Sequence, residues 1–306
     1  MKPRIITIAG PTASGKTSLA IQVAQHYKTE IISIDSRQCY HEMNIGVARP
    51  EQEQLALVKH HFIADRSIHK PLTAAAFAAE ARMKIDSILL QNNVVVICGG
   101  TGLYLRALLY GLHDLPTISP SIRDEVNLLY EQAGISGLVA SIAELDIEAI
   151  NQIETSNPAR VKRALEILLS SPELPLATYF QPKKDAIKYP FINYCLNPER
   201  EALYRQIELR CDMMMERGQL EEARNLLPNA DLPVLKTVGY SELFEHFRGN
   251  ATLQHAIDKI KQHTRNYAKR QLTWFKHQVP CTMLNTDTAL KDIISAEYFT
   301  GLNTGK

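Results

Sequence analysis

Apolar positions along the chain switch between two textures. Ile5–Ala9 is a short continuous apolar run that opens onto a glycine-rich turn, which predicts a buried first strand. From about Gly15 to His26 the apolar residues take up a helical spacing. Glu30–Ile34 predicts a second strand ending at Asp35-Ser36, Ala74–Leu90 an amphipathic helix, and Val94–Cys98 a third strand of buried composition. Gly99-Gly100-Thr101-Gly102 then turns the chain into a helix over Leu103–Leu109. Strands alternating with helices predict an α/β fold with a doubly wound parallel sheet.

From about Leu115 the texture changes. Pro116 and Pro120 open a charged, helix-forming stretch that runs to roughly Pro182 without a strand pattern. Phe191–Leu196 reads as a strand again, and the remainder is helical up to a last strand at Cys281–Asn285. The expected organisation is therefore a P-loop-type core built from 1–114 and 183–306, with a mainly helical insertion domain over 115–182.

Composition narrows the class. At 306 residues with 45% hydrophobic and 22% charged residues, the chain can bury a sizeable core. No apolar run approaches the length of a membrane span, and the N-terminal run is too short for a secretory signal. Cys39, Cys98, Cys195, Cys211 and Cys281 stand singly, which predicts a reducing, cytoplasmic setting without structural zinc. His60-His61 and the other histidines lack metal-ligand spacing and read as structural. The net charge of +1 excludes a polycation, so any nucleic-acid binding must be local. Leu253–His277 is one such locality: six basic residues (Lys259, Lys261, Arg265, Lys269, Arg270, Lys276) face one acid, Asp258, with Tyr267, Trp274 and Phe275 interleaved. That mixture suits an RNA surface, or equally an amphipathic helix with a solvated basic face. Arg160, Lys162 and Arg163 form a smaller group open to the same two readings.

The sharpest motif is Gly10-Pro11-Thr12-Ala13-Ser14-Gly15-Lys16-Thr17, a full G-x-x-x-x-G-K-[ST] match between an apolar strand and a helix. Glycines let backbone N–H groups converge on phosphate, the helix dipole and Lys16 favour its charge, and Thr17 offers a hydroxyl to Mg²⁺. The third strand ends in Gly99-Gly100 rather than in the metal-holding acid of many P-loop hydrolases. The acid so placed is Asp35. It reads either as a turn aspartate or, facing the loop, as a metal ligand or general base. The Gly99–Gly102 turn on its own reads as a tight strand–helix connection.

Taken in order, these segments resemble a known family. The P-loop, Asp35-Ser36-Arg37-Gln38-Cys39-Tyr40, Met43-Asn44-Ile45-Gly46 and Gly99-Gly100-Thr101-Gly102-Leu103-Tyr104 come first. Asn157-Pro158-Ala159-Arg160-Val161-Lys162-Arg163, Thr237-Val238-Gly239-Tyr240 and Thr264-Arg265-Asn266-Tyr267-Ala268-Lys269-Arg270-Gln271 complete the set, which is similar nearly end to end to bacterial tRNA dimethylallyltransferases. The resemblance implies transfer of a dimethylallyl group from dimethylallyl diphosphate to N6 of adenosine 37 in tRNA. It implies that the P-loop cradles the diphosphate with Mg²⁺ on Thr17, that Arg210 helps bind that diphosphate, that Asp35 is the general base, and that Thr101 lies in the reaction channel. It implies tRNA contacts from Asp35, Ser36, Arg37, Gln38, Thr101, Arg123, Ala159, Arg160, Val161, Lys162, Arg163, Lys269 and Arg270. The expected enzyme is a cytoplasmic monomer. Ala159 stands where many members carry glutamine, and Arg37 departs from the usual residue after Asp-Ser. Prenylation of free adenine nucleotides, an ATP-using P-loop enzyme and an RNA-binding module with a vestigial loop are the alternatives.

Overall fold

The computed structural model describes residues 3–112, 115–180 and 187–299. It divides into two compact units, one of Met1–Leu109 with Ile187–Lys306 and one of Tyr110–Ala186. Residues 114, 182 and 183, at the expected domain boundaries, lie outside the described residues.

The first unit is built on a six-stranded, all-parallel sheet. Its strands are β1 (Arg4–Ala9), β2 (Ile31–Ser33), β3 (His60–His61), β4 (Val94–Gly99), β5 (Phe191–Leu196) and β6 (Thr282–Leu284), in the spatial order β3-β2-β4-β1-β5-β6. The central strands are apolar at nearly every position because both faces are covered. Ile6 and Ile8 of β1 and Val94 and Val96 of β4 pack with Leu19, Val23 and Ala24 of α1 (Lys16–Tyr27). Ala289 and Ile293 of a C-terminal helix, Ala289–Phe299, close the same face. Ile5, Val95 and Ile97 point to the opposite face by strand alternation and are equally inaccessible. The fold is α/β with a P-loop-type core, as the alternating pattern predicts.

Sequence pattern and structure differ mainly at the sheet's edge. The strand expected over Glu30–Ile34 is three residues long, and β3 is an unpredicted strand of two. Two residues carry no periodicity; His60 and His61 become a strand only because β2 lies alongside them. His61 pairs with Glu30 at 2.5 Å, a structural use of the histidine.

The second unit is helical. It contains Pro120–Leu145, bent at Gly134 where φ is 63°, and Pro158–Ser170, with short 3-10 turns at Ile147–Gln152 and Leu176–Phe180. Both long helices start with proline after a capping side chain. Ser119 Oγ accepts from the Ile122 amide, and Asn157 Oδ1 accepts from the amides of Ala159 and Arg160. Val126, Leu138, Ile142, Val161, Leu165 and Leu168 form a core of the unit's own. No strand is present among its described residues.

Candidate functional site

In a parallel sheet the loops leaving the C-terminal strand ends gather on one edge, and ligands bind there. Loops of this kind carry the chemistry of the first unit. After β1, the backbone turns through Ala13 (φ 64°) and Gly15 (φ 82°), both left-handed, before entering α1. Ser14 Oγ and Lys16 Nζ both donate to the Pro11 carbonyl, which closes the P-loop on itself.

After β2 the ladder continues into the loops: the Ile34 amide donates to the Cys98 carbonyl, and the Thr101 amide to the Ile34 carbonyl. Asp35 Oδ1 accepts from the amides of Arg37 (2.9 Å) and Gln38 (3.3 Å). Asp35 is therefore a turn aspartate and a cavity residue at once. One oxygen shapes the turn, and among the described residues nothing donates to the other. Thr101 Oγ1 accepts from the Ser36 amide at 3.0 Å and lies 3.3 Å from Ser36 Oγ, joining the second and third motifs.

The structure brings Thr12, Lys16, Thr17, Asp35, Gln38, Gly99, Gly100 and Arg210 around one cavity, with Tyr267 and Gln271 on its wall. A second cavity, lined by Ala13, Ser14 and Gly15, shares Lys16, Thr17 and Arg210 with the first. Arg210 lies on α7 (Arg200–Glu216) and donates to Thr12 Oγ1. Among the described residues no carboxylate forms an ion pair with Lys16 or Arg210. Burial is the main cause that lowers the Lys16 ammonium to a pKa of about 8; Arg210 lowers it further, while Cys98 and Asp35 oppose. Burial also lowers Arg210 from the usual guanidinium value. Two half-buried cations without an ion-pair partner make a place for a small, highly charged anion. Burial and then the nearby Asp35 push the Tyr267 hydroxyl up to about 12, so it stays protonated and can donate.

A family model described as IPP transferase matches residues 38–278. The chain belongs to the IPP transferase family. It is 43% identical over 95% of its length to a Flavobacterium johnsoniae protein named tRNA dimethylallyltransferase, covering 96% of that protein. A second protein of that name, from Christiangramia forsetii, is 41% identical over 96% of this chain and 97% of its own. Among solved structures, the full-length tRNA isopentenylpyrophosphate transferase of Bacillus halodurans is similar with a TM-score of 0.71 and 31% identity, covering 97% of this chain and 96% of that one.

Two residues of this IPP transferase escape a reading of sequence alone, and both lie on α10 (Leu253–Gln278). Gln271 is buried. Its Oε1 accepts from the Thr12 amide of the P-loop and its Nε2 donates to the Gly100 carbonyl, each at 2.9 Å. A Cβ at Gly100 would collide with that amide, and one at Gly102 with the Trp274 ring. The glycine turn is thus both a tight connection and the seat of α10, which only the long-range packing reveals. The basic residues of α10 divide as well. Lys261 pairs with Asp212 (2.6 Å) and Arg265 with Glu208 (2.7 Å), both on α7, whereas Lys269 and Arg270 are exposed and have no ion pair among the described residues.

Arg123, Ala159, Arg160, Val161, Lys162 and Arg163 belong to the second unit. Val161 is fully buried in that unit's core, so its side chain offers no surface for RNA. Arg160 pairs with Glu154, Arg163 with Glu166 (3.1 Å), and Lys162 sits 4.0 Å above the Tyr130 ring.

A metal fits the first cavity on donor chemistry. Thr17 and Asp35 offer hard oxygens beside the P-loop, the set that Mg²⁺ takes together with substrate phosphates and water. Among the described residues there is no cluster of three or more His, Cys, Asp or Glu that could hold a metal without substrate.

Proposed function

We propose that this IPP transferase moves a dimethylallyl group from dimethylallyl diphosphate to N6 of adenosine 37 in tRNA and releases diphosphate. The observation that carries the reading is the pair of cations without ion-pair partners, Lys16 and Arg210, lining one cavity with the Asp35 carboxylate. The P-loop amides, Lys16 and Arg210 bind the diphosphate and stabilise the charge that grows on it as the allylic C–O bond breaks. The new bond forms between that carbon and the exocyclic nitrogen. That amine is a weak nucleophile because its lone pair is delocalised, so Asp35, through its free oxygen, accepts the proton the nitrogen loses. Mg²⁺ held by the Thr17 hydroxyl would add further positive charge at the leaving group, leaving the free Asp35 oxygen to the proton. Thr101 and Ser36 fix the strand end from which Asp35 projects.

The target adenine leaves its stack to enter, which costs least in a loop. The RNA is held in part by Lys269 and Arg270, beside Arg37 and Gln38, with Arg123, Ala159 and the basic start of Pro158–Ser170 contributing from the second unit. In this reading the enzyme works in the cytoplasm as a monomer, a setting that five free cysteines suit.

The test is mass spectrometry of nucleosides after incubating enzyme, Mg²⁺ and dimethylallyl diphosphate with an anticodon stem-loop RNA or with AMP. N6-dimethylallyl adenosine in the RNA alone is expected. Efficient prenylation of AMP, or consumption of ATP without product, would overturn the reading. Asp35→Ala should retain RNA binding and lose roughly 10²-fold or more in turnover.

A further inference from the structure

The proposed reaction leaves two motifs unused, Met43-Asn44-Ile45-Gly46 and Thr237-Val238-Gly239-Tyr240. They meet at Glu222, on the short helix Gln219–Leu226. Glu222 Oε2 accepts from the amides of Asn44 (3.0 Å) and Ile45 (2.8 Å), and Oε1 from the amide of Gly46 (2.9 Å) and the Tyr240 hydroxyl (2.6 Å). Three consecutive amides converging on one carboxylate form an anion nest that the chain fills itself. Tyr240 is fully buried, and a Cβ at residue 46 would stand 2.6 Å from its ring, so the contact needs glycine there. Arg49 also donates to the carbonyls of Tyr40, His41 and Met43.

The clamped segment leads to the cavity. Directly after the nest, the carbonyls of Val47 and Ala48 accept from Gln38 Nε2 at 3.2 and 2.9 Å. The Gln38 amide in turn donates to Asp35 Oδ1. We propose that Glu222 and Tyr240 are positioning residues for the prenyl transfer: they lock segment 44–48, which anchors Gln38 and thereby aims the Asp35 carboxylate. Asp35 is reached only through hydrogen bonds, and neither clamp residue lines its cavity. The inference rests on Asp35 being the base.

Single-turnover prenyl transfer to the stem-loop RNA at saturating RNA tests it, with wild type, Glu222→Gln, Gln38→Ala and the double variant. Glu222→Gln turns an amide N–H toward the nest and should slow transfer by roughly tenfold or more, the scale of a misaimed catalytic group. Because both substitutions act along one route, the double variant should be no slower than the slower single. Binding of inorganic diphosphate, read by calorimetry, should stay within about threefold of wild type, since the P-loop is not part of the clamp. Effects that multiply in the double variant, or an unchanged rate in Glu222→Gln, would overturn the proposal. Should Glu222→Gln fail to fold, Tyr240→Phe removes a single hydrogen bond from the same carboxylate. Its effect should likewise fail to multiply with that of Gln38→Ala, and multiplication would overturn the proposal in the same way. A folded wild type without prenyl transfer would overturn the reaction itself, and the positioning role with it.

Discussion

Two regions of this IPP transferase carry cations without ion-pair partners, and they differ in burial. Lys16 and Arg210 are half-buried beside the P-loop, while Lys269 and Arg270 stand exposed on α10. Partial burial makes an unpaired cation costly, and a ligand that supplies the missing charge relieves that cost. An exposed one costs little and attracts any polyanion at a distance that salt controls. The first region suits a small anion bound tightly in fixed geometry, the second a long anion bound loosely. The basic run at Arg160–Arg163 is a third case, in which Glu154 and Glu166 already answer the charge.

The contrast breaks most readily at Arg210. Arg210→Ala should weaken binding of the prenyl diphosphate by roughly 10²-fold, as loss of a buried charge partner does, with little dependence on salt. A steep salt dependence of that loss, measured by calorimetry, would erase the distinction between the regions. Next in size is the pair Lys269→Ala with Arg270→Ala. RNA affinity should fall about tenfold, and the plot of log affinity against log salt should flatten by about 1.4 to 1.8, two phosphate contacts' worth. An unaltered slope would return α10 to a merely solvated face.

Protonation of Lys16 sharpens the comparison further. Its pKa in the free enzyme is about 8, below its ordinary 10.5, so the unfolded chain binds more protons between those values. This group's contribution to stability therefore rises with pH from about 8 to 10.5. A bound diphosphate favours the charged ammonium, so binding above a pH of about 8 takes up a proton. Donor affinity should then fall with rising pH by at most about tenfold per unit. Calorimetry in two buffers of different ionisation enthalpy, at a pH of about 8.5, reads the uptake, and its absence would contradict the shift. Smallest is Arg160→Ala with Arg163→Ala, for which RNA affinity should drop only about two- to threefold, because surface pairs already hold these groups. A loss as large as that of the α10 pair would dissolve the third class.

Local pattern carried the sheet and the loop. β1, β4 and β5 were legible because continuous apolar runs bounded by turns mean buried strands, and the P-loop because its glycines sit where backbone must approach phosphate. What stayed hidden depends on contacts far apart in the chain. Gln271 looks like a polar residue of a basic helix until it is seen bridging Thr12 and Gly100. Glu222 looks like one of two adjacent acids on its helix; only folding brings three amides to it. Arg210 was named through the family resemblance; its contact with Thr12 is what folding adds. The pairing of Lys261 and Arg265 with α7 was likewise invisible to composition, which counts charge and not its partners.

The order of strands in the sheet also bears on synthesis. Ile5 of the central strand β1 pairs with Phe191, so one edge of β1 has no neighbour until the whole helical insertion has been translated. At roughly 5–20 residues per second, that edge waits about 10 to 40 seconds on the ribosome. Through that interval an apolar edge with unpaired amides is open to other nascent chains. Early folding of the insertion on its own core would shorten the effective tether between the two strands and limit that exposure.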